Sequence, residues 1–156
     1  MKLEKEIHQG QFRNDAHKLG VNLIYSFNWL NTFHVTMLKP HGITAQQFNV
    51  LRILRGQLPH HSSIKLIRER MLDKMSDASR IVEKLRIKGL INRVISEDDR
   101  RACKVIITEK GLKLLEKIDA ENHIYDSVFS NLTPEEIKVM NKLLDKLRGK
   151  SHSAES

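Results

Sequence analysis

The sequence predicts a mainly α-helical fold that carries one small β-hairpin, and three observations predict it. Apolar residues recur at spacings of three and four over most of the chain, the period of amphipathic helices. One stretch breaks that period. There two runs rich in β-branched residues, Leu90-Ile91-Asn92-Arg93-Val94-Ile95 and Cys103-Lys104-Val105-Ile106-Ile107, enclose the charged segment Ser96-Glu97-Asp98-Asp99-Arg100-Arg101-Ala102. Just before them lies a short helix signal with Ser76 as N-cap, Ala78, Ile81, Val82 and Leu85 on one face, and Gly89 as a left-handed stop. A helix followed by two strands with a charged tip makes a wing.

The remaining elements follow in order. Residues 1–10 are a charged lead-in. From Gln11 to about Lys39, Ala16, Leu19, Leu23, Leu30, Phe33 and Met37 define one long helix, with Val21, Ile24, Phe27 and Trp29 widening its apolar stripe, and Lys39-Pro40 and Gly42 end it. Thr44 caps a second helix, with Gln47 at the capping-box position and Phe48, Val50, Leu51, Ile53 and Leu54 turned inward up to Gly56. After a loop, Ser62 or Ser63 caps a third helix, Ile64 to Met71, whose Ile64, Ile67 and Met71 face the core; a link from Leu72 to Met75 leads to the Ser76 helix. Thr108 caps the next helix, which runs from Glu109 through Leu112, Leu115 and Ile118 towards Phe129 with an interruption near His123. Thr133-Pro134-Glu135-Glu136 starts the last one, with Thr as cap, Pro at N1 and Glu at N3. The order helix, turn, helix, hairpin is that of a winged helix-turn-helix. We therefore expect one domain over 1–156, with a DNA-binding lobe at 44–112 flanked by dimerisation helices at 11–40 and 113–149.

Charge is informative once it is located. The net charge is +8, and residues 52–104 hold 14 Lys and Arg against 7 Asp and Glu while all other positions hold 13 against 12. Basicity concentrated on a helix and wing is the footprint of a polyanion partner, since each phosphate neutralised releases condensed counterions. No run approaches the roughly 18 consecutive apolar residues of a membrane span, and the N-terminus does not read as a signal peptide. A cytoplasmic protein is expected. The single Cys103 fits a reducing compartment and, by its alternation with Val105 and Ile107, a buried thiol. Neither the eight histidines, which include His60-His61, nor the acidic residues form a metal set, so no metal, cofactor or catalytic residue is expected.

Several of these motifs resemble a known family. Gly89-Leu90-Ile91, then Asp99-Arg100-Arg101-Ala102, then Ile107-Thr108-Glu109-Lys110-Gly111 are similar to signatures of the MarR family of winged helix-turn-helix transcription regulators, in the family's order and spacing. Leu132-Thr133-Pro134-Glu135-Glu136 followed by Leu143-Leu144-Asp145-Lys146-Leu147 resembles its last helix, so the likeness spans about Phe12 to Arg148. In the turn between the two helices, Arg68 and Leu72 depart from the small residue and glycine expected there.

Candidate DNA contacts follow from chemistry and from the resemblance together. Ser76, Asp77, Ser79, Arg80 and Lys84 project from a helix sized for the major groove, where Arg reads guanine and short polar side chains reach base edges or phosphates. Arg101 at the hairpin tip suits the narrow minor groove, with Asp99 orienting it, while Arg93, Arg100 and Lys104 suit phosphates, as do the backbone amides of Ser62 and Ser63 at a helix start. One helix and one wing cover half a site. A homodimer on pseudo-palindromic double-stranded DNA is therefore expected, with Leu19, Leu23, Ile137, Met140, Leu144 and Leu147 at its interface. The resemblance also implies a small ligand, often phenolic, for which Trp29, Phe33, His34, Phe48 and Tyr125 are the candidate lining. The function expected is a dimeric, ligand-released repressor. A protein-binding winged helix would not explain the basic cluster, and a small basic nucleic-acid hydrolase would need a catalytic constellation that the sequence does not offer.

Overall fold

Capping decides where the helices start. In the computed structural model, which describes residues 2–95 and 103–149 apart from the side chains of Val94, Ile95 and Cys103, α1 is Leu3–Glu6 and α2 is Asp15–Leu38. The long helix begins four residues later than the periodicity suggested, because the Asn14 side chain accepts a hydrogen bond from the His17 amide at 2.8 Å and sets the start. The lead-in is tethered rather than loose: Leu3 is buried, and Tyr25 of α2 donates to Glu6 at 2.8 Å. A 3-10 turn, Lys39–His41, and Gly42 in the left-handed region (φ 68°) close α2.

The lobe comes next. Helix α3, Ala45–Arg55, opens with the expected Thr44/Gln47 capping box, and α4, Ile64–Arg70, is capped by Ser63, whose hydroxyl accepts from the Leu66 amide at 3.1 Å. Helix α5, Ala78–Ile87, ends where the sequence places the stop: Gly89 has φ 69°, and the Leu90 amide reaches back to the Leu85 carbonyl at 3.0 Å.

The sheet has one strand more than the sequence indicated. Besides β2, Ile91–Ile95, and β3, Cys103–Ile107, the pair Ser62–Ser63 forms β1, and all three are antiparallel in the order β1-β3-β2. Ser62 sits opposite Val105 and Ser63 opposite Lys104, while Ile91 faces Ile107 and Arg93 faces Val105. The third strand changes where the serines lie. Ser62 is buried in β1, whereas Ser63 stands exposed at the α4 start.

Helix α6, Glu109–Asp119, is separated from α7, Asn122–Ser127, by a break at Ala120-Glu121, close to the interruption read from sequence but ending short of Phe129. Helix α8, Pro134–Arg148, opens with the Thr133/Glu136 capping box. Among the described residues no helix is long and apolar enough to cross a membrane.

The chain divides after Ile118 into two compact units. The first has one core, in which Leu51, Leu54, Ile67, Val82, Leu85, Ile91 and Val105 are all but inaccessible to solvent. Leu38, Leu115 and Ile118 belong to it as well, so the core of the lobe draws on α2 and on α6 beyond residues 44–112. The second unit holds α7 and α8, with Ile137, Val139, Met140, Leu143 and Leu147 exposed.

A glycine near the start of α6 fixes the corner where α5, the sheet and α6 meet. A Cβ on Gly111 would lie 2.4 Å from the Leu90 carbonyl oxygen and 2.7 Å from Ile107 Cγ1. Thr108 completes the corner: its amide donates to Leu90 O at 3.1 Å, its hydroxyl donates to Gly89 O at 2.9 Å, and that hydroxyl accepts from the Gly111 amide at 3.2 Å.

Candidate nucleic-acid interface

The recognition-helix candidate presents the residues its periodicity selects. Ala78, Val82 and Leu85 are buried and Ile81 is half-buried, whereas Ser79, Arg80 and Lys84 are exposed on the opposite side. Arg80 and Lys84, four residues apart, lie one above the other. Among the described residues neither has an ion-pair partner, so both positive charges remain uncompensated. With Ser76, Asp77 and the Thr44-to-Gln47 start of α3, they line a notch of about 290 Å³ floored by Ile81.

The helix start corrects one assignment. Ser76 was expected to be the N-cap, but its hydroxyl donates to Asp73 Oδ2 at 2.6 Å, and Asp77 takes the cap, accepting from the Arg80 amide at 3.0 Å. Asp77 is thereby committed to the backbone, and Ser76 to the turn. Asp73 also accepts from the Met75 amide at 3.0 Å, and these bonds, led by that from Ser76, hold its carboxyl below the usual value; Gln46 of α3 contributes in the same direction. On the other side of the turn the Leu72 amide donates to the Asn49 side chain at 2.9 Å. The turn without a glycine is thus fastened to α3 at its first two residues, Leu72 and Asp73, and Leu72 and Met75 stay exposed.

That network has a sign that can be tested. A carboxyl lowered in the folded state contributes stability that is fully present above its unfolded pKa and is lost as pH falls through the folded value. The urea midpoint of the wild type should therefore drop on acidification from pH 5 to pH 2, and Asp73→Asn should show a smaller drop. Parallel curves for the two proteins would mean that this network does not couple to folding.

The strands carry further cations. Lys104 is exposed on β3 directly opposite Ser63, the cap of α4, so an ammonium stands beside a helix N-terminus on one face of the sheet. Arg93 is exposed on β2, its Nη1 4.0 Å from Glu83 Oε2, and Glu83 also pairs with Arg86 at 2.8 Å. Arg86 first, and Arg93 by its charge, keep the Glu83 carboxyl below the usual range. This Glu83 pairing was missed from the sequence, where the distance between a helix and a strand cannot be read. Asp99, Arg100 and Arg101 lie outside the described residues, as does the side chain of Cys103.

The aromatic set is only partly assembled. His34 and Phe48 meet edge to face with centroids 6.3 Å apart, and burial lowers the imidazole pKa. Phe33 is half-buried, but Trp29 is 54% exposed, so it does not share an interior with Phe48 within the chain. Tyr125 belongs to the second unit, where it stacks edge to face on Phe129 at 5.7 Å. Of the expected interface residues, Leu19, Ile137, Met140 and Leu147 are exposed, and Leu23 and Leu144 are half-buried within their own chain. Among the described residues no group of three or more His, Cys, Asp or Glu is arranged to hold a metal ion.

Comparison with known proteins agrees with this geometry. A family model described as MarR family matches residues 41–102, from the end of α2 through α3, α4, α5 and β2. The HTH-type transcriptional repressor IacR of Pseudomonas putida is 27% identical over 129 residues, covering 78% of this chain and 76% of that protein. The organohalide-sensing regulator RdhR-CbdbA1625 in its 2,4-dichlorophenol-bound form superposes with a TM-score of 0.79 at 23% identity, over 90% of this chain and 85% of that one. A mutant MarR of E. coli complexed with operator DNA gives 0.75 at 22% identity, over 88% and 99%. The segment similar to the MarR family model thus falls on the helix, turn, helix and first hairpin strand of this lobe.

Proposed function

We propose that the protein is a dimeric repressor that binds a pseudo-palindromic operator, inserts α5 into the major groove and the wing into the flanking minor groove, and is released by a small aromatic ligand. The observation that carries the reading is the outward face of α5, where Arg80 and Lys84 stand exposed and uncompensated beside a polar notch. A guanidinium in that position pairs with the O6 and N7 of guanine, and an ammonium beside it neutralises phosphate. Ser63 and Lys104 extend the contact to a neighbouring phosphate, and Arg101, oriented by Asp99, enters the minor groove.

Dimerisation follows from apolar surface left open. Leu19 on α2 and Ile137, Met140 and Leu147 on α8 are exposed in the single chain, and a second copy would cover them. Two recognition helices would then stand about 34 Å apart, one turn of DNA. A ligand that changes this separation lowers operator affinity, and DNA lowers ligand affinity by the same factor. The relatives support both halves of the reading: one is named a repressor, one was crystallised on operator DNA and one with 2,4-dichlorophenol.

The test is salt-dependent binding to random duplex DNA and to DNA upstream of the protein's own coding region, with and without 2,4-dichlorophenol. Preference for the upstream fragment, reduced by the phenol, is expected. Equal weak binding to both fragments at every salt concentration would sink the specific-regulator reading. On the preferred fragment Arg80→Ala should cost on the order of 1 to 3 kcal/mol and flatten base preference. Arg101→Ala should weaken binding with the dimer intact. An equal loss for Arg80→Ala on all sequences would make Arg80 a phosphate contact.

A further inference from the structure

Helix α5 carries one acidic residue among its cations, Glu83. It follows Ser79 by four residues and Arg80 by three, so it rises from the same outward side one turn further on. On a surface that meets a polyanion a carboxylate is out of place, because it faces phosphates of its own sign. Two arginines hold it. Arg86 spans it with one whole edge of its guanidinium, Nε donating to Oε2 at 3.0 Å and to Oε1 at 3.2 Å while Nη2 donates to Oε1 at 2.8 Å. From β2, the Arg93 Nη1 stands 4.0 Å from Oε2.

Magnitudes decide what this triad does. The three side chains are 42–49% exposed, and ion pairs so open to water add little to folding. Their effect on a DNA backbone is larger. A guanidinium edge that already spans a carboxylate is not free for the two-pronged grip on a phosphate, and two guanidiniums with one carboxylate sum to a single positive charge. Arg80 and Lys84 have no ion-pair partner among the described residues. The cations placed to read bases are thus open, while those flanking them are masked.

We propose that Glu83 is a specificity-determining residue that masks Arg86 and Arg93 and so holds down the sequence-independent part of DNA affinity. Specificity is a difference of affinities, and weakening the indiscriminate complex serves it as well as a new base contact does. Guanidiniums freed from Glu83 would grip a phosphate on any sequence. Random DNA gains most from that, because there the lobe settles wherever phosphate contacts are most numerous, whereas base contacts fix its register on a preferred site. The inference rests on the DNA-binding reading of α5.

The experiment is a salt titration of binding, read by fluorescence anisotropy, with full-length wild type, Glu83→Gln and Glu83→Gln/Arg86→Gln on a random-sequence duplex and on the upstream fragment. Glutamine keeps the shape of Glu83 and drops its charge; circular dichroism confirms that the variants fold. Glu83→Gln should bind the random duplex roughly fivefold to tenfold more tightly at about 0.1 M salt, with a slope of log affinity against log salt steeper by about 0.9, the value of one phosphate. Its preference for the upstream fragment should shrink, and the double variant should return the slope towards that of the wild type. An unchanged slope in Glu83→Gln would overturn the proposal. So would weaker binding, since Glu83 would then orient the guanidiniums towards phosphate, and a steeper slope with undiminished preference would remove its part in specificity. Wild type and variants all failing to bind either duplex at the lowest salt would instead bring down the DNA-binding reading itself.

Discussion

Gly111→Ala should destabilise the protein on the order of 3 kcal/mol, far more than one methyl group ordinarily does. The usual effect of replacing glycine within a helix is a gain, because alanine has less backbone freedom to lose. Here the added Cβ has no room. It would sit 2.4 Å from a backbone oxygen, Leu90 O, and 2.7 Å from the Ile107 side chain, and a backbone atom cannot swing aside as a flexible side chain can. Moving Leu90 O also disturbs its bond from the Thr108 amide, and with it the start of β2 and the cap of α6. Urea unfolding of the two proteins measures the cost directly. A midpoint unchanged or raised in Gly111→Ala would show that α6 does not approach the sheet this closely.

The second large effect concerns assembly. Leu143→Asp/Leu147→Asp should convert the dimer to monomers while leaving α8 folded. Both leucines are 57% exposed within the chain, so the change removes little internal packing. Burying the remaining surface of four such side chains, two from each protomer, is worth about 4 kcal/mol, or roughly a thousandfold in dimer affinity before the repulsion of buried carboxylates is added. Leu144 would be a poorer probe, since it is half-buried in its own chain and its loss would confuse folding with association. Sedimentation across protein concentrations distinguishes the outcomes: a variant still dimeric at micromolar concentration would remove α8 from the interface. Operator affinity should fall with the dimer, since each monomer then reads half a site.

How much of this was legible depended on the range of the interaction. The capping boxes at Thr44/Gln47 and Thr133/Glu136, the left-handed Gly89 and the buried stripe of α5 are set by residues within one or two turns, and the sequence carries them openly. Ser76 and Asp77 show the limit of local rules. Both are good caps, and the choice was made by Asp73, whose carboxylate captures the Ser76 hydroxyl. The strand at Ser62-Ser63 has no strand-like composition; it exists because β3 offers an unpaired edge that the folded lobe brings alongside. The same holds for Arg93 beside Glu83 and for the space at Gly111, which are distances between elements. In the candidate site the outward face of α5, with Arg80 and Lys84, was readable from its period, but the pairing of Arg93 with a carboxylate on another element was not.

The pairing of β1 with β3 also bears on how the lobe folds. The β2–β3 hairpin joins neighbours in sequence and can form early, whereas Ser62 meets Val105 only after most of the lobe between them has been arranged, and such distant contacts are entropically slow to close. Strand β3 is thus protected on one edge by a fast local event and on the other by a slow, global one. In amide exchange, the protons bonding β3 to β1 would report on closure of the whole lobe, and those bonding it to β2 on the hairpin alone.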